Sequence, residues 1–106
     1  MTVLPGRSAC LRCLFPTPPP AGEIPTCQES GVVGALAGTI GVLQAAEALK
    51  FLLGSGVLLT DRLLTYDAFT GRWRAIHLSR APHCPLCGDQ PCIRRLATVR
   101  SEPEGC

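Results

Sequence analysis

Two cysteine pairs carry the most definite chemistry in this chain: Cys10-Leu11-Arg12-Cys13 near its start and Cys84-Pro85-Leu86-Cys87 near its end. Two thiolates separated by two residues can face one ion from a single tight turn, and two such turns complete a tetrahedral site. Pro85 inside the second pair and Gly88 after it suit that turn, a zinc knuckle. Four sulfurs leave no coordination position open, so the expected role of Zn2+ is structural, and such binding contributes roughly 10–16 kcal/mol. It would stitch the start of the chain to its end. The competing reading is redox chemistry at the CxxC pairs, which calls for an alternating βαβ pattern that is not found here. His83 lies beside Cys84 and is a candidate substitute ligand, but with four sulfurs at hand it reads as an exposed loop residue.

Cys27 stands apart from both pairs, at the N-terminal edge of a helical segment. Unpaired backbone N–H groups and the positive end of a helix dipole stabilise a thiolate there, which makes Cys27 a candidate catalytic nucleophile. The alternative is a capping-region residue with no chemistry, and local physics leaves both open. Cys92 and Cys106 have no organised context. The total of seven cysteines is odd, and the N-terminus has no apolar stretch of the kind that a secretory signal contains. A reducing, cytoplasmic setting follows as the expectation, with the thiols serving as metal ligands or nucleophiles rather than disulfides.

Five segments position these residues. Residues 1–15 hold the first pair. Residues 16–25 are rich in proline, which excludes helix and central strand and predicts an extended connecting loop. Residues 26–54 read as one long helix, opened by a Thr26/Glu29 capping box and closed by a left-handed Gly54. Gly31, Gly34, Gly38 and Gly41 recur at three- and four-residue steps, so another backbone is expected to pack closely along that face. Residues 57–80 read as strands, with Arg62–Asp67 and Arg72–Leu78 joined as a hairpin through Ala68–Gly71. The second pair occupies 81–93, and 94–106 form a polar tail.

With 106 residues the chain is a single domain at most. Its composition, 46% hydrophobic and 17% charged, belongs to a folding chain rather than a disordered one. A net charge of +2, few aromatics and a lone basic cluster at Arg94, Arg95 and Arg100 give no footing for nucleic acid. The uncharged run from Gly31 to Ala46 falls short of the roughly 20 residues that a bilayer needs, and Glu47 and Lys50 interrupt its continuation. No membrane is expected. A helix that is apolar on nearly all sides must then be buried in protein, and a few short strands cannot surround it. A partner or a missing domain is implied.

Five ordered blocks carry a family resemblance: CLRCLFP from Cys10, TCQESGVVG from Thr26, GVLQAAEALK from Gly41, LLTYDA from Leu63 and CPLCG from Cys84. Over roughly residues 8–93 the chain resembles the C-terminal half of the ThiF/MoeB/HesA family of adenylyltransferases, relatives of the ubiquitin-activating enzymes. The resemblance implies an α/β fold class, a fragment of a Rossmann-like ubiquitin-activating fold with a long apolar helix, an antiparallel hairpin and a four-cysteine zinc knuckle. Family members use ATP and Mg2+ to adenylate the C-terminal glycine of a ubiquitin-like sulfur-carrier protein ending in Gly-Gly, in molybdopterin or thiamine biosynthesis. By the same resemblance Cys10, Cys13, Cys84 and Cys87 match the structural zinc ligands, and residues 14–27 match a crossover loop over the carrier's tail. Cys27 matches the position where some members link covalently to the carrier.

The ATP site of the family belongs to an N-terminal half in which a glycine-rich turn cradles phosphates. No GxGxxG follows a strand here, and the glycines from Gly31 onward lie within the apolar helix. The expectation is therefore a partial adenylyltransferase, inactive alone, that pairs with a missing N-terminal half or forms a homodimer. The alternative is a non-catalytic, zinc-stabilised module that docks a ubiquitin-like partner.

Overall fold

The computed structural model describes residues 1–20 and 22–94. In chain order it contains α1 (Leu11–Leu14), α2 (Cys27–Ser30), α3 (Gly34–Leu53), β1 (Arg62–Asp67) and β2 (Arg72–His77). Between α1 and α2, residues 15–20 and 22–26 have neither helix nor strand, as their prolines require. A mixed α/β fragment with one two-stranded sheet results.

The hairpin follows the sequence pattern closely. β1 and β2 pair antiparallel, from Arg62 opposite His77 to Asp67 opposite Arg72. Asp67 builds the turn: its Oδ1 accepts the N–H groups of Phe69 and Thr70 at 3.0 and 3.3 Å, and its Oδ2 accepts the Thr70 hydroxyl at 2.7 Å. Gly71 supplies the positive φ (65°) that returns the chain. Across the strands Tyr66 and Trp73 stack with ring centroids 4.2 Å apart. The regular pairing stops at His77, and the flanks at 57–61 and 78–80 lie outside the strands.

The helix expected over 26–54 is instead two helices. Glu29 accepts the Thr26 N–H at 2.6 Å and its hydroxyl at 2.9 Å, so the start signal is real, but the helix it opens lasts one turn. Gly31 adopts φ 72°, ψ 172°, which no right-handed helix contains, and Val33 is extended. The physical reason is that glycine gives up little by leaving the helix, and Val32 and Val33 are β-branched. The Gly54 stop is as expected: at φ 61° its N–H reaches Phe51 O, while Ser55 N–H reaches Lys50 O.

One face of α3 is committed to the rest of the chain. Leu36, Ile40, Leu43, Glu47 and Lys50, at steps of four and three, are its half-buried residues. Glu47 Oε2 accepts the Thr2 hydroxyl at 2.5 Å and the Leu59 N–H at 2.8 Å, while Oε1 pairs with Lys50. Lys50 Nζ in turn donates to Val57 O at 2.8 Å, and Thr2 N–H to Leu59 O at 2.8 Å. One carboxylate thus joins the helix, the N-terminal segment and the approach to β1. By length and composition α3, at 20 residues, is long and apolar enough to cross a bilayer. Its two charged side chains, however, are spent on these internal contacts.

The other face is bare. Val42 and Leu53 are 71% and 76% exposed, and no residue of α3 is buried. A Cβ added at Gly34, Gly38 or Gly41 would meet nothing within 4 Å, so the close backbone neighbour expected for the glycines is not among the described residues. Even the committed face sits loosely, over a cavity of about 360 Å³ lined by Leu43, Phe51, Leu59, Leu64 and Trp73. No large side chain is fully buried among the described residues.

Burial acts to raise the Glu47 carboxyl, but the Leu59 N–H, Lys50 and the Thr2 hydroxyl outweigh it and hold the group down at about 2, against an ordinary 4.5. A depressed carboxylate stabilises the fold above its ordinary value and stops doing so as pH falls toward the depressed one. Glu47→Gln is expected to cost about 3 kcal/mol at pH 7, the order that such a shift implies. Urea unfolding from pH 7 to pH 2 checks this: the gap between wild type and variant should begin to narrow near pH 4.5 and shrink progressively toward pH 2.

Candidate metal centre

The two CxxC turns meet. Cys10 Sγ lies 3.9 Å from Cys13 Sγ and 3.6 Å from Cys84 Sγ, and Cys13 Sγ lies 3.3 Å from Cys87 Sγ. All four sulfurs are within 4.8 Å of one another. A tetrahedron with metal–sulfur bonds of about 2.3 Å has edges of about 3.8 Å, so the cluster has the size of a four-thiolate site. Disulfides, at about 2.05 Å, are far shorter than any of these separations. All four residues are free cysteines. His83 is exposed and lies outside the cluster.

Local structure aims each sulfur. Cys10 precedes α1 with an extended backbone, and Cys13 N–H donates to Cys10 O at 3.0 Å, which curls the first pair around one point. In the second pair Cys84 N–H donates to Ala81 O and Gly88 N–H to Cys84 O, at 3.0 and 2.9 Å. Gly88 is obligatory: a Cβ there would lie 2.5 Å from the carbonyl oxygens of both Pro82 and Cys84. Backbone N–H groups also point at sulfur, Ala81 at Cys13 (3.4 Å) and Cys87 at Cys84 (3.5 Å). Such donors favour thiolate, the ligating form.

Proton sharing within the cluster points the same way. Burial raises Cys84, yet the N–H groups of Cys87 and Leu86 and the thiols of Cys10 and Cys87 bring it down to about 6. Cys13 is lowered too: burial works against it, but the Ala81 and Cys10 backbone and the Cys87 thiol prevail. Cys87 goes the other way, raised by burial and then by Cys10, Cys13 and Cys84. Crowded sulfurs cannot all lose their protons without a cation to offset the charge. The donor set suits a thiophilic divalent ion in tetrahedral geometry, and no water or substrate position remains open.

Several contributors are absent from the motif-level reading. Arg80 donates from Nε to Cys87 O at 3.0 Å and from Nη2 to Asp89 at 2.7 Å, which braces the second turn, and Asp89 raises the guanidinium above its ordinary value. Cys92, without context in the sequence, has an ordered backbone: its N–H and that of Ile93 both donate to Pro85 O, at 3.0 and 2.9 Å. Asp61 and Ser8 support the first turn from outside it. No spacing rule marks these residues, because their partners are distant in sequence or are backbone atoms. Arg95, Arg100 and Cys106 lie outside the described residues.

Cys27 is not part of the cluster. It is exposed, at the first position of the one-turn α2. The break at Gly31 removes the long helix whose dipole was expected to act on it, since that effect comes from peptide units aligned along one axis. What remains is an accessible thiol at the end of a proline-rich segment.

The ThiF family model matches residues 1–86. A sulfur carrier protein adenylyltransferase of Thermus thermophilus is 53% identical over 87 residues, which cover 82% of this chain and 32% of that protein. The adenylyltransferase and sulfurtransferase MOCS3 of Drosophila yakuba is 44% identical over 92 residues, 86% of this chain and 20% of its own length. A SAMP-activating enzyme E1 of Haloferax volcanii is 44% identical over 88 residues, 83% of this chain and 33% of its own. The chain thus spans between a fifth and a third of these relatives.

Metal analysis of chain purified under reducing conditions is expected to give one ion per chain. Cobalt substitution should give the intense sulfur-to-metal charge-transfer bands of a tetrahedral thiolate site. Cys84→Ser should abolish the four-sulfur spectrum and weaken binding by more than about a hundredfold, beyond what loss of an outer-sphere partner causes.

Proposed function

The chain belongs to the ThiF family, and we propose that it is the zinc-bearing, carrier-engaging part of an adenylyltransferase that activates a ubiquitin-like sulfur-carrier protein. The observation that carries this reading is the coverage: 82% of the chain aligns with 32% of a sulfur carrier protein adenylyltransferase. The complete enzyme would join ATP to the carrier's C-terminal glycine, releasing pyrophosphate. ATP and Mg2+ would be held by a nucleotide-binding half outside this chain, because no glycine-rich phosphate turn follows a strand here. Molybdopterin or thiamine biosynthesis is the pathway proposed, in the cytoplasm, where reduced thiols persist.

In this reading Cys10, Cys13, Cys84 and Cys87 hold a structural Zn2+, which supplies cross-linking rather than chemistry at the carrier. Residues 14–27 cross over the carrier's tail. Cys27 is the nucleophile: its thiolate attacks the carbonyl carbon of the acyl-adenylate, AMP departs with the electrons of the broken bond, and a thioester forms. Exposure of Cys27 and the absence of helix and strand at residues 15–20 and 22–26 support that role. The bare face of α3, with its glycines open to approach within 4 Å, supports docking of the nucleotide-binding half. A homodimer through the same face is the other arrangement to be distinguished.

A second reading, a non-catalytic module that docks the carrier, is favoured by the same lack of a phosphate turn. ATP–pyrophosphate exchange separates the two. Chain and Gly-Gly-ended carrier alone should give no exchange, and addition of the nucleotide-binding half of a relative should give carrier-dependent exchange. Cys27→Ser should leave exchange intact and abolish the covalent carrier adduct. Carrier retention with no exchange under any complementation would favour the module.

A further inference from the structure

Asp61 is the one non-glycine residue with positive φ (54°) among the described residues. Such a backbone persists in an L-residue only where its surroundings hold it, although Asp tolerates it better than most. Its surroundings are specific. Asp61 Oδ1 accepts the N–H of Ala9 at 2.7 Å, and Asp61 O accepts the N–H of Leu78 at 2.9 Å. One residue therefore joins three parts of the chain: the segment entering the first CxxC turn, the start of β1 and the exit of β2.

The segment it holds is the most buried in the described chain. Ser8, Ala9 and Cys10 are 2%, 0% and 4% exposed, and Ser8 Oγ accepts the Leu4 N–H at 2.8 Å behind them. The Ala9 N–H consequently has no route to water while Cys10 faces the other sulfurs. Without the carboxylate, closing the cluster would strand a buried donor, a penalty that the open, metal-free chain escapes by letting the segment solvate. That asymmetry falls on metal affinity rather than on the hairpin.

We infer that Asp61 is a positioning residue for the metal centre, its carboxylate clamping Ala9 so that Cys10 is presented to the second cysteine pair. This rests on the proposed reading of the four cysteines as zinc ligands. The bland alternative is a turn residue that merely tolerates the left-handed region. The two differ sharply for Asp61→Gly, which relieves the backbone and removes the carboxylate. A turn residue predicts no loss, whereas a clamp predicts one.

The test is zinc affinity of the full 106-residue chain by chelator competition, with cobalt spectra of each variant. Asp61→Gly should bind zinc at least about tenfold more weakly, the effect expected of a stranded donor beside a ligand, with the four-sulfur cobalt spectrum recovered at saturation. Asp61→Asn, which keeps an oxygen acceptor, should restore most of that affinity. Asp67→Ala, which dismantles the hairpin turn but touches no part of the first CxxC segment, should leave it unchanged. Equal affinity in Asp61→Gly and wild type overturns the inference, as does an equal loss in Asp61→Asn or Asp67→Ala. Failure of the wild-type chain itself to bind zinc would overturn the metal reading instead.

Discussion

Four sulfur atoms within reach of one cation impose on this chain the constraint that an apolar core imposes on most domains. The buried residues among those described are small and gathered there: Ala9, Cys10, Cys84 and Gly88, with Ser8 beside them. Large apolar side chains elsewhere stay wet, and an isolated two-stranded hairpin is marginal by itself. A cross-link between distant points removes far more freedom from the unfolded chain than from the folded one, and a metal ion held by four thiolates is such a cross-link. An ion held there would close everything between α1 and the second CxxC turn into one loop. The order of that loop then depends on smaller clamps placed along it.

Glu47 is the chief of these clamps. Its carboxylate gathers the Thr2 hydroxyl, the Leu59 N–H and Lys50, so polar contacts tie the helix to the N-terminal segment. The two faces of α3 therefore have different fates. One is oriented by a few directed bonds that hold it in register over a cavity, and the other, with Val42, Leu53 and the open glycines, offers smooth apolar surface. Directed bonds set an angle without using up apolar area. A helix mounted in this way is presented to a neighbour already oriented, which lowers the entropy that docking must overcome.

Legibility in the sequence varied with how local each interaction was. The CxxC spacing marked all four cluster residues, because ligation from a tight turn is a local rule, and Gly88 and Pro85 marked the second turn. The hairpin was equally plain, since Asp67, Thr70 and Gly71 write the turn and the register follows from it. Gly54 was legible as a stop for the same reason. Gly31 was not legible as a break: it shares its spacing with Gly34, Gly38 and Gly41, and only the backbone distinguishes the glycine that leaves the helix from the three that stay. Asp61, Arg80 and Glu47 escaped because their partners lie elsewhere in the chain or are main-chain atoms of any residue type. The mixed helix-and-hairpin architecture was visible from pattern, while the contacts that hold it together were not.

The break at Gly31 has a mechanical consequence. Were residues 26–53 one rigid rod, any body gripping the far end of that rod would also dictate the heading of Cys27. As it is, a joint at Gly31–Val33 separates a short arm from a long shaft. On its other side the arm follows residues 15–20 and 22–26, which have neither helix nor strand and whose extended reach is about 3.3–3.6 Å per residue. Seating the shaft therefore does not by itself dictate the heading of the thiol.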